Sequence, residues 1–255
     1  RSSDLNYPFG TKIYNMKGTG FIYILNFVTN LWERCINRLT QILFNPDISM
    51  IMTLLNIRKD SIIYESGTGS GCLSTNMSQV LQDNGHLYTF EFNRERAEKL
   101  REVFKVIGLD KTITVTNRDV VENGFTLDES SLLHPSHSQA DGIFIDLPSP
   151  WLVIDHVKKV LKKNGKFVSF SPCVEQIAET KKALIENNFI NMKVIECMYR
   201  TYNYMRTVKI SVPKFSVRRK WGEEIPMQEK EIPVSDSVND MRGHTGFLIS
   251  AIYLG

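Results

Sequence analysis

An apolar segment running into a glycine-rich turn constrains this chain more than any other feature. Residues Ser61-Ile62-Ile63-Tyr64 lead into Glu65-Ser66-Gly67-Thr68-Gly69-Ser70-Gly71, after which a helical pattern opens. A strand, a tight glycine turn and a helix in that order form the first unit of a sheet whose ligands sit outside the carboxyl ends of its strands. The rest of the chain repeats the unit. Strands are expected at 61–65, 86–92, 112–116, 142–146, 166–171, 192–198 and 247–253, and helices at 71–81, 94–107, 151–161 and 175–186. Alternation of this length implies a Rossmann-like α/β fold, a mostly parallel sheet covered on both faces.

Before this region, residues 1–40 are rich in Gly, Asn, Tyr and β-branched residues, with a Gly18-Thr19-Gly20 turn ahead of an apolar run, and read as a small, short or truncated β module. From Asp47 the apolar residues Ile48, Ile51, Met52 and Leu55 fall on one helical face, with Asp47 after Pro46 placed to cap it. Residues 41–255 form the main domain. Within it, 213–240 breaks the rhythm with three prolines, a basic Arg218-Arg219-Lys220 cluster and an acidic stretch, and reads as a mobile excursion before the last strand.

Composition narrows the function. A chain of 255 residues with 42% apolar content can bury one α/β core and carry a small appendage. A formal charge of +3 is modest for a chain that grips nucleic acid alone, so an RNA substrate would call for help from a partner. The four cysteines, Cys35, Cys72, Cys173 and Cys197, form no C-x-x-C pair, which argues against a zinc ribbon or redox motif and fits a reducing, intracellular setting. The apolar stretch at 21–28 is broken by Asn26 and falls short of the roughly 20 residues a membrane span needs, so a soluble protein without membrane association is expected. His134 and His137 lie in a Ser-rich loop without further ligands nearby, and no metal site is expected.

The charge of the glycine turn selects its ligand. Gly67, Gly69 and Gly71 permit close backbone approach, and the helix that follows offers unpaired N–H groups. An ordinary glycine loop and a nicotinamide fingerprint are the alternatives. The spacing here is G-x-G-x-G rather than G-x-G-x-x-G, and the strand ends on Glu65. A carboxylate there repels a pyrophosphate and suits the ammonium of the methionine moiety of S-adenosylmethionine (SAM). Glu91, about 20 residues on, stands where an acid accepts from ribose hydroxyls. Asp119, after the third strand, stands where a carboxylate accepts from an adenine amino group. Each of the two also reads as a solvated loop-end acid. Three acids at three successive strand ends behind one glycine loop favour the SAM reading.

Asp146-Leu147-Pro148-Ser149-Pro150-Trp151 closes the fourth strand, and its two prolines stiffen the turn and fix the direction of Asp146. Such a turn suits transfer to a base nitrogen. Neutral adenine N1 has a free lone pair, and a carboxylate accepting from the N6 amino group would orient the ring and stabilise the positive charge of the product. The alternative is that Asp146 caps the helix near Trp151. Tyr199-Arg200-Thr201-Tyr202-Asn203-Tyr204-Met205-Arg206 mixes aromatic rings with arginines, suited to a flipped base and phosphate or equally to a subunit interface, with Tyr202 and Arg206 as substrate candidates. His244, between glycines, is a third candidate or a turn histidine bonded to backbone. Cys173, after Pro172 at a strand end, reads as buried packing rather than a nucleophile.

Taken together, these segments resemble the catalytic subunits of eukaryotic tRNA (adenine-58-N1)-methyltransferases. The carriers are Leu39-Thr40-Gln41-Ile42-Leu43-Phe44, the glycine turn, Phe90-Glu91-Phe92 with Arg94 and Arg96-Ala97, Arg118-Asp119-Val120, the Asp146–Trp151 turn, Phe170-Ser171-Pro172-Cys173 and Gly243-His244-Thr245-Gly246-Phe247-Leu248. The resemblance covers about 31–212 and 241–253. It implies a seven-stranded class I SAM-dependent methyltransferase sheet after a small N-terminal β domain. It also implies SAM contacts from Leu43, Ser70, Gly71, Cys72, Glu91, Arg96, Asp119 and Val120, beside Glu65, Gly67 and Gly69 of the turn, and gives Asp146 the catalytic role along with a place at the cofactor. It further implies tRNA as substrate, a non-catalytic paralogous subunit in a two-plus-two heterotetramer, and a nuclear location. Arg38 stands where the family usually has histidine, and residues 26–30 replace its proline and threonine run. Other readings of the whole chain are a non-catalytic RNA-binding subunit, or a SAM methyltransferase for protein or small molecules. The intact glycine turn and Asp146 speak against the first, and the Asp146 turn and the tyrosine and arginine segment against the second.

Overall fold

The computed structural model describes residues 7–82, 84–127, 135–203, 206–214, 222, 224, 226–237, 243 and 245–255. Two antiparallel strands, β1 (Lys12–Tyr14) and β2 (Phe21–Tyr23), come first and pair Tyr14 with Phe21. Helix α1 (Thr29–Cys35) follows in a stretch where the sequence pattern suggested only strands. Helix α2 (Asn45–Leu55) then leads to strand β3 (Ile62–Ser66). From there the order is α3 (Cys72–Leu81), β4 (His86–Glu91), α4 (Arg94–Ile107), β5 (Ile113–Asn117), the short α5 (Val120–Asn123) and β6 (Ala140–Ile145). A 3-10 turn (Pro150–Val153), α6 (Ile154–Val160), β7 (Leu161–Ser171), α7 (Val174–Glu186), β8 (Phe189–Glu196), β9 (Arg206–Pro213), β10 (Met227–Val234) and β11 (Phe247–Tyr253) complete the chain.

Seven strands form one sheet in the order β5-β4-β3-β6-β7-β11-β8, parallel except for β11, which runs antiparallel to both of its neighbours. Successive residues of the central strands face opposite cores, as a sheet covered on both sides requires. Tyr64, Ile143 and Phe167 point to one cluster with Ile154, Val157, Ile177 and Leu184 of α6 and α7. Ile63, Phe144 and Val168 point to another with Ile51, Leu73, Met77, Leu100 and Phe104 of α2, α3 and α4. The chain runs outward from β3 through β4 to β5, then restarts on the other side of β3 at β6. The turns after β3 and β6 therefore meet at the point where strand order reverses, where such sheets bind ligands.

Local chemistry sets the helix ends. Asn93 caps α4 by accepting the Arg96 N–H at 2.9 Å, Gly108 closes it in the left-handed region at φ +77°, and Ala97, Leu100 and Phe104 bury its inner face. Helix α2 differs from expectation. It begins at Asn45, so Asp47 lies inside the first turn and caps nothing; it is buried and accepts the Thr245 hydroxyl at 2.6 Å. That bond holds the start of α2 to the segment entering β11. The helix expected over 151–161 begins as a 3-10 turn at Pro150, and the chain is already extended at Leu161.

Residues 198–244 form a compact unit of their own, separate from the unit made by 1–197 and 245–255. It is wider than the 213–240 excursion, and its described part is regular: β9 and β10 pair antiparallel from Arg206–Val234 to Pro213–Met227. Among the described residues no helix is long and apolar enough to cross a membrane.

Candidate active site at the sheet's switch point

The glycine turn is held by the protein on three sides. Gly67 adopts φ +91°, and a Cβ there would lie 2.2 Å from the Asp146 carbonyl oxygen. Gly69 (φ +57°) would meet the Thr40 hydroxyl at 2.7 Å, and Gly71 (φ +77°) the Phe104 ring at 2.9 Å. What these glycines approach is thus the turn after β6, the segment before α2 and the face of α4. Close packing within the protein, rather than the approach of a ligand, is what requires glycine at these three positions. Thr40 also seats on Ser70, its N–H reaching the Ser70 hydroxyl at 3.1 Å, which brings the Leu39–Phe44 segment over the turn. Gly71 precedes α3, and among the described residues no side chain caps that helix, which leaves its first-turn N–H groups for an acceptor.

Glu65 is buried at the end of β3, 1% exposed, where Ser74 donates to Oε2 at 2.5 Å. Burial pushes its carboxyl up to about 7, against the hydrogen bonds from Ser74 and Thr89 and with help from the charges of Asp146 and Glu91. Glu91 is also buried, and its two oxygens are occupied differently. Oε1 accepts the Asn93 N–H at 2.9 Å and the Arg96 guanidinium at 2.7 and 3.1 Å, whereas among the described residues Oε2 accepts the Gly69 N–H alone, at 3.1 Å. Arg96, named from the sequence as a cofactor contact, spends its guanidinium fixing Glu91. Glu91 in turn ties the glycine turn to α4.

Asp119 accepts the Val121 and Glu122 N–H groups on Oδ1 at 2.9 and 3.4 Å and so caps α5, while Val120 is buried in the core. A cavity of about 460 Å³ opens here, lined by Phe92, Asn117, Arg118, Asp119 and Asn123 at the carboxyl ends of β4 and β5. Asn117 donates to the carbonyls of Glu91 (2.8 Å) and Phe92 (2.9 Å) and fixes the cavity wall. The Phe92 ring is 72% exposed at its rim. Neither Asn117 nor Phe92 stands out in the sequence as a site residue, beyond the one signal of an aromatic directly after the strand-end acid Glu91.

Asp146 sits across the glycine turn. Its N–H donates to the Ser66 carbonyl at 2.9 Å, extending the pairing of β6 with β3. The side chain is half-buried, and burial alone raises its carboxyl to about 6. Among the described residues its carboxylate has no hydrogen bond or ion pair. The capping alternative fails, because the following turn starts at Pro150 behind Ser149 with no side-chain cap.

Two more groups close the site. Cys72 is buried at the start of α3, its thiol pushed up to about 12 by burial and by the charges of Glu33 and Glu65, which makes it a neutral packing group. Glu33 on α1, which no sequence pattern singled out, is itself buried with its carboxyl raised by that burial. Leu43 is half-buried and packs against the core on the α2 side. Tyr202 is exposed and belongs to the separate 198–244 unit, in an isolated bridge to Ser237. Arg206 starts β9, its side chain outside the described residues; His244 and His134 also lie outside them. His137 accepts the Tyr64 hydroxyl on its carbonyl at 2.8 Å and bonds the Tyr88 hydroxyl through Nδ1 at 3.0 Å. Among the described residues no three His, Cys, Asp or Glu side chains gather as metal ligands.

A family described as "tRNA methyltransferase complex GCD14 subunit" matches residues 20–253. The chain belongs to that family. It is 34% identical over 96% of its length to the tRNA (adenine(58)-N(1))-methyltransferase catalytic subunit of Dictyostelium discoideum, and 32% identical over 82% of its length to that of Candida albicans. It spans 83% of the first relative's length and 61% of the second's. Among solved structures it is similar to a SAM-dependent O-methyltransferase from Thermotoga maritima, with a TM-score of 0.73 at 25% identity, covering all of this chain and 81% of that one. It also shares the fold of the tRNA (m1A58) methyltransferase TrmI from Aquifex aeolicus, with a TM-score of 0.69 at 22% identity over 97% of this chain and 82% of that one. The GCD14 family therefore occupies the seven-stranded class I methyltransferase fold here, with the glycine turn and the Asp146 turn meeting at the switch point.

Proposed function

We propose that this chain is the catalytic subunit of a tRNA (adenine(58)-N(1))-methyltransferase that uses SAM as methyl donor. The observation that carries the reading is Asp146, a half-buried carboxylate without a protein partner among the described residues, standing against the glycine turn where the strand order reverses.

The residues present fit SAM. The uncapped start of α3 presents N–H donors to the methionine carboxylate. Glu65 and Asp146 supply negative charge beside the turn for the ammonium and sulfonium. Oε2 of Glu91, with one protein donor, keeps capacity for a ribose hydroxyl. Oδ2 of Asp119 does the same for an adenine amino group at the cavity after β5. When bound, SAM would supply a sulfonium methyl group open to attack by the adenine N1 lone pair, the N1–C bond forming as the C–S bond breaks and leaves its electron pair on sulfur.

The chain's part in that step is to orient and stabilise. Asp146 accepts from the N6 amino group, turns N1 toward the methyl and stabilises the positive charge that 1-methyladenine acquires. No proton need be removed from N1 before attack. The carboxylate acts chiefly when ionised, because a neutral group there can still accept from N6 but no longer offsets the positive charge of the product. Because burial raises it to about 6, the rate should be level above neutrality and fall as pH drops through about 6, each unit below costing about a factor of ten. Single-turnover rates from pH 5 to 8.5 check this, and Asp146→Asn should lose that limb.

Transfer of labelled methyl to an unmodified tRNA transcript, beside one with adenosine 58 replaced by guanosine, tests the function. Labelling of the first alone is expected. Equal labelling of both would refute the position, and SAM binding without labelling would refute the substrate. The same reading includes a non-catalytic paralogous subunit in a two-plus-two assembly, sharing the phosphate contacts that a chain of charge +3 supplies sparingly, and a nuclear location. Light scattering of the co-expressed subunits and imaging of the tagged chain test these; a lone, active monomer or a cytosolic signal would overturn them.

A further inference from the structure

We infer that Gln176 is a positioning residue for methyl transfer, holding the Asp146 turn in place through the carbonyl of Pro148. The inference rests on Asp146 as the reacting carboxylate.

The Asp146-Leu147-Pro148-Ser149-Pro150 turn has little means of holding itself. Pro148 and Pro150 carry no N–H, and among the described residues the backbone bonds here are Asp146 N–H to Ser66 at the turn's start and Leu152 N–H to Ser149 (3.2 Å) beyond it. Between them the carbonyl of Pro148 is gripped from outside by Gln176 Nε2 at 2.8 Å. Gln176 stands in the first turn of α7, and its Oε1 accepts the Cys173 N–H at 3.2 Å, closing a capping box. The two partners settle the amide's orientation, since a carbonyl only accepts and an N–H only donates. One half-buried side chain thus locks the start of α7, just after β7, to the turn after β6, two residues from Asp146. A tether at that distance fixes the direction of the carboxylate more than its presence, and a misplacement of about 1 Å near a reacting group can cost a hundredfold in rate.

Gln176→Glu separates the tether from the cap. It keeps an acceptor for Cys173 and, when ionised, has no donor for Pro148. With the co-expressed partner at pH 8, we expect kcat to fall roughly tenfold to a hundredfold, with the SAM Kd and melting temperature near those of the wild type. The ratio of variant to wild-type rate should recover as pH falls, because the protonated carboxyl donates again, and the Asp146 limb common to both proteins cancels. Gln176→Met, lacking donor and acceptor, should show no such recovery. Amide hydrogen exchange of the Asp146 turn should quicken in Gln176→Glu, a readout independent of any substrate. Unchanged exchange, or a rate loss matched by lost SAM affinity and melting temperature, would overturn the tether. Quickened exchange in a protein whose wild type methylates no tRNA would keep the tether and refute the assigned reaction.

Discussion

Replacing Asp146 with alanine should lower kcat for methyl transfer by about 10²–10³-fold, the scale on which a single preorganised electrostatic contact acts, while the SAM Kd changes only a few-fold. The separation follows from geometry. The backbone N–H of Asp146 is committed to Ser66 and its carbonyl to the packing against Gly67, and alanine keeps both. The carboxylate meets no protein donor among the described residues, so its removal leaves no buried partner unpaired. Stability should therefore hold, and could rise slightly, because the group is raised to about 6 by a burial that costs the ionised form. Asp146→Asn should fall between alanine and wild type, since it can still accept from N6 and has lost the charge. Isothermal titration with SAM, paired with single-turnover methylation, checks the split. Equal loss of SAM affinity and rate in the alanine variant would make Asp146 a cofactor ligand first, and an unchanged rate would remove it from the chemistry.

The features that were legible in the sequence are those whose cause is local. The bounds of helix α4 were legible because Asn93 and Gly108 flank it directly and the Ala97, Leu100, Phe104 face lies within it. The glycine turn and the strand-end acids were legible because strand, turn and helix are contiguous. Partnerships across the chain were not. Glu91 accepts the Gly69 N–H from 22 residues away, so that a single acid read as a ribose acceptor also carries the turn, and Arg96, adjacent in the pattern, serves Glu91. The start of β7 was not legible as strand, since Lys162-Lys163-Asn164-Gly165 is polar and 166 was expected as the first strand residue; its strand character comes from Leu161 pairing with Ala140 on another strand. The β9 and β10 hairpin escaped for a related reason. Pro213, Pro226 and Pro233 punctuate it, β10 is largely exposed, and no buried face writes a period into its sequence. Gln176 was invisible because a glutamine in a first helical turn announces a capping box, and nothing local announces that its other end reaches Pro148, 28 residues away.

The costliest single change at the site should be Gly67→Ala, and its two consequences can be separated. A Cβ at Gly67 would stand 2.2 Å from the Asp146 carbonyl oxygen, 3.1 Å from its carbonyl carbon and 3.2 Å from its Cβ, all but the last of them backbone atoms, which cannot rotate aside. The φ of +91° adds strain for any L side chain. Together these should destabilise the fold by roughly 2–4 kcal/mol and lower the melting temperature by roughly 5–15 °C. What yields decides the chemistry. The β3 and β6 pairing of Ser66 with Ile145 and the Asp146–Ser66 bond hold both turns at their roots, so the displacement must fall on the turns themselves, moving Asp146 away from Gly67. Loss of kcat should then exceed that of Asp146→Ala, and SAM affinity should fall with it, because Gly69 and its bond to Glu91 belong to the same turn. Gly69→Ala is the comparison: its Cβ would meet a side-chain hydroxyl, that of Thr40, at 2.7 Å, and Gly69→Ala with Thr40→Ala should recover part of the SAM affinity. No such second change is available for Gly67, whose obstacle is a carbonyl. A Gly67→Ala protein with wild-type melting temperature and SAM affinity would mean that the two turns are not in contact as described, and with that contact the placement of Asp146 at the cofactor would fall.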